Sequence, residues 1–136
     1  MSMCTMFEAR SVEEKAMRTF WGYPRPDGRV GVRNHILALA TVVCANEVVK
    51  AAERRLPELV AITHQHGCAQ GGEDLQQTRR TLLHTATHPN VYGAIIVSLG
   101  CETMDSERLA EEVAATGKPC VLVGIQEEGG TRAALR

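Results

Sequence analysis

This 136-residue chain has no surplus of either charge, no long apolar run and no nucleotide-binding glycine motif. Lysine and arginine number 15 against 16 acidic residues, for a formal net charge of −1. Chains that live on nucleic acid carry a clear basic excess, so the balance argues against such a partner. No apolar run approaches the roughly 20 residues needed to cross a bilayer. Residues 1–10 lack the hydrophobic core of a secretory signal, and a cytoplasmic location is the expectation. There is no GxGxxG after the first strand-like run and no GxxxxGK[ST] anywhere, which disfavours dinucleotide and P-loop nucleotide binding. The five cysteines, Cys4, Cys44, Cys68, Cys101 and Cys120, contain no CxxC pair and are odd in number. They read as thiols of a reducing compartment. No repeat or low-complexity tract occurs.

What is present is an ordinary globular composition, 44% hydrophobic and 23% charged, in a length suited to one domain with one core. Residues 11–20 read as a short helix, with Ser11 as N-cap and Glu13 and Glu14 in its first turn. Residues 21–29 hold two prolines and two glycines and read as irregular. From His35 onward, strand and helix alternate. Residues 35–43, 58–64, 91–99 and 119–125 are strand-like. Residues 45–56, 73–87 and 106–116 have helical spacing, and a further helix opens at 129–131. Pro57 stops the first of these helices and Gly117 caps the third. The alternation predicts βαβ units in a three-layer, Rossmann-like α/β domain over 35–136, with a mainly parallel sheet of about four strands and helices on both faces. Residues 1–34 form a separate N-terminal helix and an Arg/Gly/Pro-rich segment in this reading.

Ligands of open α/β sheets bind outside the carboxyl ends of the strands. Cys44 and Asn46 follow the first strand there, His64, His66 and Cys68 the second, Cys101 and Glu102 the third, and Gln126, Glu127 and Glu128 the fourth. Three thiols and two imidazoles along one edge could hold a metal or an iron–sulfur cluster. The competing reading makes each cysteine a small buried hydrophobe beside a strand. Cys120 falls inside a strand and reads as core, and Cys4 as idle. His64 and His66, at positions i and i+2, would point the same way in extended chain, as paired ligands or as ligand and base; otherwise they are hydrogen-bonded loop histidines.

Arg18, Arg25, Arg29 and Arg33 crowd the N-terminal segment. Their forks match carboxylates, so they suit an acidic small molecule or else form a solvated face offset by Asp27. Gly129-Gly130-Thr131 could hold an anion on backbone N–H groups or serve as an ordinary cap.

The run Gly22-Tyr23-x-Arg25-x-Asp27-Gly28-Arg29-x-Gly31-x-Arg33-Asn34 resembles the opening signature of the altronate/galactarate dehydratase family, which includes the large subunit of sulfolactate sulfo-lyase. Matches continue through Thr41-Val42-Val43-Cys44-Ala45-Asn46, His64-Gln65-His66-Gly67-Cys68, His88-Pro89-Asn90-Val91-x-Gly93, Leu99-Gly100-Cys101-Glu102, Ile125-Gln126 and Gly129-Gly130-Thr131. The resemblance covers residues 20–136 and implies a lyase that removes water from a sugar acid to give a 2-keto-3-deoxy acid. It further implies dependence on iron or a similar divalent metal. The sulfo-lyase branch expels sulfite instead.

On that reading Cys44, Cys68, Cys101 and His64 are ligand candidates for the metal or cluster. His66 is the first choice for the base and Glu102 the second. Arg25, Arg29 and Arg33, with Asn46, Gln126, Gly130 and Thr131, are the substrate-binding candidates. Family enzymes are much longer, so the chain is expected to be inactive alone and to work with a further C-terminal region, a partner subunit or copies of itself. A non-catalytic metal- or acid-binding module, and a purely structural domain, are the competing expectations.

Overall fold

A computed structural model of the chain describes residues 5–9 and 18–136. Two sheets are present among the described residues. The first is antiparallel, in the order β1 (Thr5–Ala9), β2 (Arg18–Pro24), β3 (Val30–Gly31). Here the expectation of a helix over 11–20 needs correction at its end. Residues 11–17, like Cys4, lie outside the described residues, but residues 18–20 are extended and pair with β1, Phe7 opposite Phe20. Thr19, Phe20, Trp21 and Tyr23 are β-branched or aromatic and favour a pleated surface over a helix. The supposedly irregular stretch after Phe20 is therefore a continuing strand and then a tight reversal. The Arg25 N–H donates to Arg29 O (2.9 Å) and the Gly28 N–H to Arg25 O (3.0 Å), and Gly28 supplies the positive φ of +81° that the reversal needs.

The second sheet is parallel throughout, in the order β5 (Leu59–Ile62), β4 (His35–Ala40), β6 (Val91–Ser98), β7 (Cys120–Gly124). Helices α1 (Asn46–Arg55), α2 (Gly72–Ala86) and α3 (Ser106–Ala114) connect consecutive strands, and a short α4 (Thr131–Ala134) follows β7. The predicted three-layer α/β architecture is the one found. The first strand stops at Ala40, short of the expected residue 43, because Val43–Ala45 already winds into a 3-10 turn that leads into α1.

Period-two alternation in β4 builds two cores. Leu37 and Leu39 face α2 and α3 in a cluster with Leu82, Ala86, Ile96, Leu109 and Val113. Ala38 and Ala40 face α1 in a cluster with Ala45, Val48, Val49, Leu59, Val97 and Ile125, against which Ala134 and Leu135 of the α4 region also pack. Burial on both faces is what a parallel sheet requires.

One loop crosses close to the end of β4. Gly67, at φ +97°, lies where a Cβ would sit 2.7 Å from Thr41 O and 2.9 Å from Val42 Cα, both fixed backbone. A side chain there must force the β5–α2 loop outward. Gly67→Val is expected to lower unfolding stability by about 2–3 kcal/mol. Urea denaturation checks this, and an unchanged midpoint would show that the loop moves at no cost.

Candidate functional site

Because all four strands of the second sheet run the same way, the segments after β4, β5, β6 and β7 open on one end. Cys44, on the 3-10 turn after β4, Cys68 after β5 and Cys101 after β6 are all exposed free thiols. They follow three neighbouring strands, since the order is β5-β4-β6. Cys120 lies in β7, half-buried, and burial pushes its thiol pKa up. The thiols share an end without converging. Among the described residues no group of three or more His, Cys, Asp or Glu is placed to hold one metal ion. As placed, these residues do not form a complete ligand set by themselves.

The rest of this end is a hydrogen-bonded frame. His64 and His66 do lie side by side, with ring centroids 6.1 Å apart and planes 19° from parallel. Their situations differ. His64 Nδ1 accepts from the His66 backbone N–H (3.1 Å), and Nε2 lies 2.9 Å from Ala40 O, to which it must donate. That fixes a neutral Nε2–H tautomer with no lone pair left over for a metal. The His66 ring is exposed and has no hydrogen-bond partner among the described residues.

Asn46, buried at the start of α1, spends its amide on the chain beside these rings. Its Nδ2 donates to His64 O (2.8 Å) and its Oδ1 accepts from the His64 N–H (3.4 Å). The Val43 N–H donates to His66 O (2.9 Å), so the two strand ends are laced together.

Glu102 organises the third loop. Its carboxylate accepts from Thr41 Oγ1 (2.6 Å), Ser106 Oγ (3.0 Å), and the N–H groups of Gly100 (2.7 Å) and Leu99 (3.3 Å). Burial pushes its pKa up, but the bonds from Thr41, the backbone and Ser106 outweigh it, and the net shift is downward. A carboxylate so fully engaged is held ionised as a positioning group; its lone pairs are poorly available to take a substrate proton. Thr41, fully buried at the end of β4, was not singled out from the sequence, where it reads as one more residue of an apolar run.

After β7, Gln126 is exposed and its side chain packs over Gly100, where a Cβ would lie 2.8 Å from Gln126 Oε1. The Gly129 and Gly130 N–H groups donate to Gln126 O (3.1 Å) and Ile125 O (2.7 Å), so this turn spends the donors that an anion would need. Thr131 is exposed at the start of α4.

The arginines are elsewhere. Arg25 is buried; its Nε donates to Pro89 O (2.6 Å) and its Nη2 to Arg33 O (3.0 Å). Arg29 donates to Asp27 through Nε (2.9 Å) and Nη2 (2.7 Å), and to Thr87 O (2.7 Å). Among the described residues the Arg33 side chain donates to its neighbour Val32 O alone (2.9 Å). Their partners precede β6, so Arg25, Arg29 and Arg33 lie at the amino end of the sheet, roughly 20 Å from the thiols, the length of strands of this size. They do not converge with His66 and the cysteines on one small ligand. Beside them the structure adds a residue that no sequence pattern flagged. Lys118 is 4% exposed and donates to His88 O (2.6 Å) and Val91 O (2.5 Å).

A parallel sheet with helices packed on it, and with polar and thiol side chains past the strand carboxyl ends, defines a domain of the three-layer α/β class. Comparison with known proteins makes this more specific. The pattern of the family described as D-galactarate dehydratase/altronate hydrolase, second domain, matches residues 22–136, and the chain belongs to that family. Among its curated relatives, the (2R)-sulfolactate sulfo-lyase subunit beta of Chromohalobacter salexigens is 36% identical over 112 residues, 82% of this chain and 28% of the relative. The altronate dehydratase of Bacillus subtilis is 34% identical over 69% of this chain and 21% of the relative. That of Escherichia coli is 33% identical over 59% of this chain and 18% of the relative. The chain thus spans between 18% and 28% of the length of these relatives. No solved structure matches it. No helix among the described residues is long and apolar enough to cross a membrane.

Proposed function

We propose that the chain is a domain of a metal-dependent, cytoplasmic sugar-acid dehydratase that eliminates water from an altronate- or galactarate-type substrate. The observation that carries this reading is the His66 ring, unbonded and exposed at the carboxyl end of a parallel sheet, beside a frame that immobilises its backbone on both sides. Membership of the family supports the reaction class. In it, a base removes the proton next to the substrate carboxylate. The electron pair forms a carbon–carbon double bond, the β-hydroxyl leaves as water on taking a proton, and the enol becomes the 2-keto-3-deoxy acid. His66 is the base in this proposal, while His64, Asn46 and the Val43 N–H, which hold its segment, position it. The metal, iron first, belongs to the whole protein. Cys44, Cys68 and Cys101, exposed at this end, would be the ligands this chain offers, and the rest of the set would have to come from outside the described residues.

A second reading is favoured by the match of 36% identity over 82% of the chain: a lyase that expels sulfite from sulfolactate. The test is turnover by the full polypeptide that carries these residues, purified without oxygen, on altronate, galactarate and (2R)-sulfolactate. A 2-keto-3-deoxy acid from either sugar acid supports the first reading, and sulfite from sulfolactate the second. Metal analysis of the same preparations, wild type beside Cys44→Ala, Cys68→Ala and Cys101→Ala, should show metal lost in the variants. Bound metal or substrate without turnover of any of the three would instead make this a binding module.

A further inference from the structure

We infer that the pocket between Arg25, Tyr92 and Lys118, at the amino end of the sheet, binds a small oxyanion of the class that includes inorganic phosphate and simple carboxylates. The inference is independent of the lyase reading, because the pocket lies at the opposite end of the strands from His66.

The argument starts from charge. Arg25 is 7% exposed and Lys118 4%. Residues of these types are almost never so buried without an opposite charge. Yet neither makes an ion pair with a carboxylate among the described residues. The nearest acid, Asp27, is exposed and held by the Arg29 fork at 2.7 Å and 2.9 Å. The carbonyls of His88, Pro89, Val91 and Arg33 solvate the two cations without neutralising them. Burial, and then the charges of Arg25 and Arg29, bring the Lys118 ammonium down to about 8, with Asp27 opposing weakly. Among the described residues the site therefore holds two positive charges with no carboxylate paired to either.

The donors are also unspent. An ammonium carries three N–H groups and a guanidinium five. Lys118 uses two on carbonyls and Arg25 two, so one and three remain. Both side chains line a cavity of about 260 Å³ whose other walls are Pro24, Pro26, Tyr92, Gly117 and Pro119. No acidic residue is among those walls. Gly117 keeps the cavity's shape: at φ +79°, a Cβ there would lie 2.8 Å from Pro26 Cβ. A buried ammonium with one unspent donor and a buried guanidinium with three, in a partly apolar cup, suit a compact anion with several acceptor oxygens.

Amide NMR on the 136-residue chain, titrated separately with sodium phosphate and sodium acetate against sodium chloride at matched ionic strength, tests this. Saturable shifts centred on Tyr92, Gly117 and Lys118, in the millimolar range, are expected, with a matching rise in the thermal midpoint. Stronger binding of phosphate would point to a phosphorylated ligand, and stronger binding of acetate to a carboxylate. Lys118→Met and Arg25→Lys should each weaken the binding about tenfold. Where a variant fails to fold, the wild-type shift map decides. No saturable shift at these three residues with either anion overturns the proposal, as does binding that both variants leave unchanged.

Discussion

Replacing His66 with alanine is expected to lower kcat of the full polypeptide by about 10²- to 10⁴-fold, the range over which a positioned general base contributes. KM should change little, because the imidazole acts on a proton and supplies little of the binding energy. The effect should be specific to this ring. His84, exposed in the last turn of α2, offers a control whose alanine variant keeps the wild-type rate. His64→Ala should fall between the two and also lose stability, since it removes one bond to the His66 N–H and one to Ala40 O. Steady-state kinetics on the three variants checks the assignment. A His66→Ala enzyme with undiminished kcat would move the base to another segment of the protein and leave this end of the sheet with a binding role.

The second large effect is on stability. Glu102→Gln should cost about 1–3 kcal/mol, the scale for leaving a buried donor unsatisfied. Glutamine keeps one acceptor oxygen, so its NH₂ group leaves either the Gly100 N–H or the cluster of Thr41, Leu99 and Ser106 facing a donor instead of an acceptor. The direction of the pH dependence follows from the lowered pKa. Glu102 titrates below its ordinary value of 4.5 in the folded chain, so its contribution is complete above that value. It is lost as the pH falls through the folded pKa. The stability gap between wild type and Glu102→Gln should therefore be constant near neutrality and close in acid below about pH 4.5. Urea unfolding across that range measures it. A gap that stays open at the acid end would mean that the carboxylate's charge is not what holds the loop.

The second sheet was legible because its signals are local. Val91–Ser98 and Cys120–Gly124 are short apolar runs, and helical spacing between strands leaves few alternatives to βαβ units. The order β5-β4-β6-β7 was not legible, since it depends on which neighbour each crossover reaches. The N-terminal segment misled for a related reason. Ser11, Glu13 and Glu14 look like a helix start, but strand formation at Arg18–Pro24 is decided by pairing with β1 and β3, which are distant or short in sequence.

The sequence placed the candidate residues just past the strand ends, where the structure also has them, but could not say what each group does there. Exposure of Cys44, Cys68 and Cys101 follows from their positions just past strands, whereas convergence on one ion is a matter of a few ångströms that spacing does not encode. Asn46, His64 and Glu102 were read as ligand-facing because they are polar residues at strand ends. They are polar there because backbone groups at those ends need partners. Lys118 was invisible for the opposite reason: between Gly117 and Pro119 it looks like a solvated loop lysine, and only the fold brings the carbonyls of His88 and Val91 onto it.

The two faces of β4 differ in a way that bears on how this sequence can drift over time. Leu37 and Leu39 meet helices across bulky, deformable contacts, where one aliphatic shape can replace another with neighbours adjusting. Ala38 borders a cavity of about 210 Å³, whereas Ala40 is fully buried, and the helix it faces begins with Asn46, whose amide is tied to His64. A methylene group added at Ala40 acts as a shim. It would lift α1 and drag the loop of His66 with it. The leucine side can thus wander while Ala40 is frozen, and the freezing comes from the distant histidine loop as much as from the packing itself.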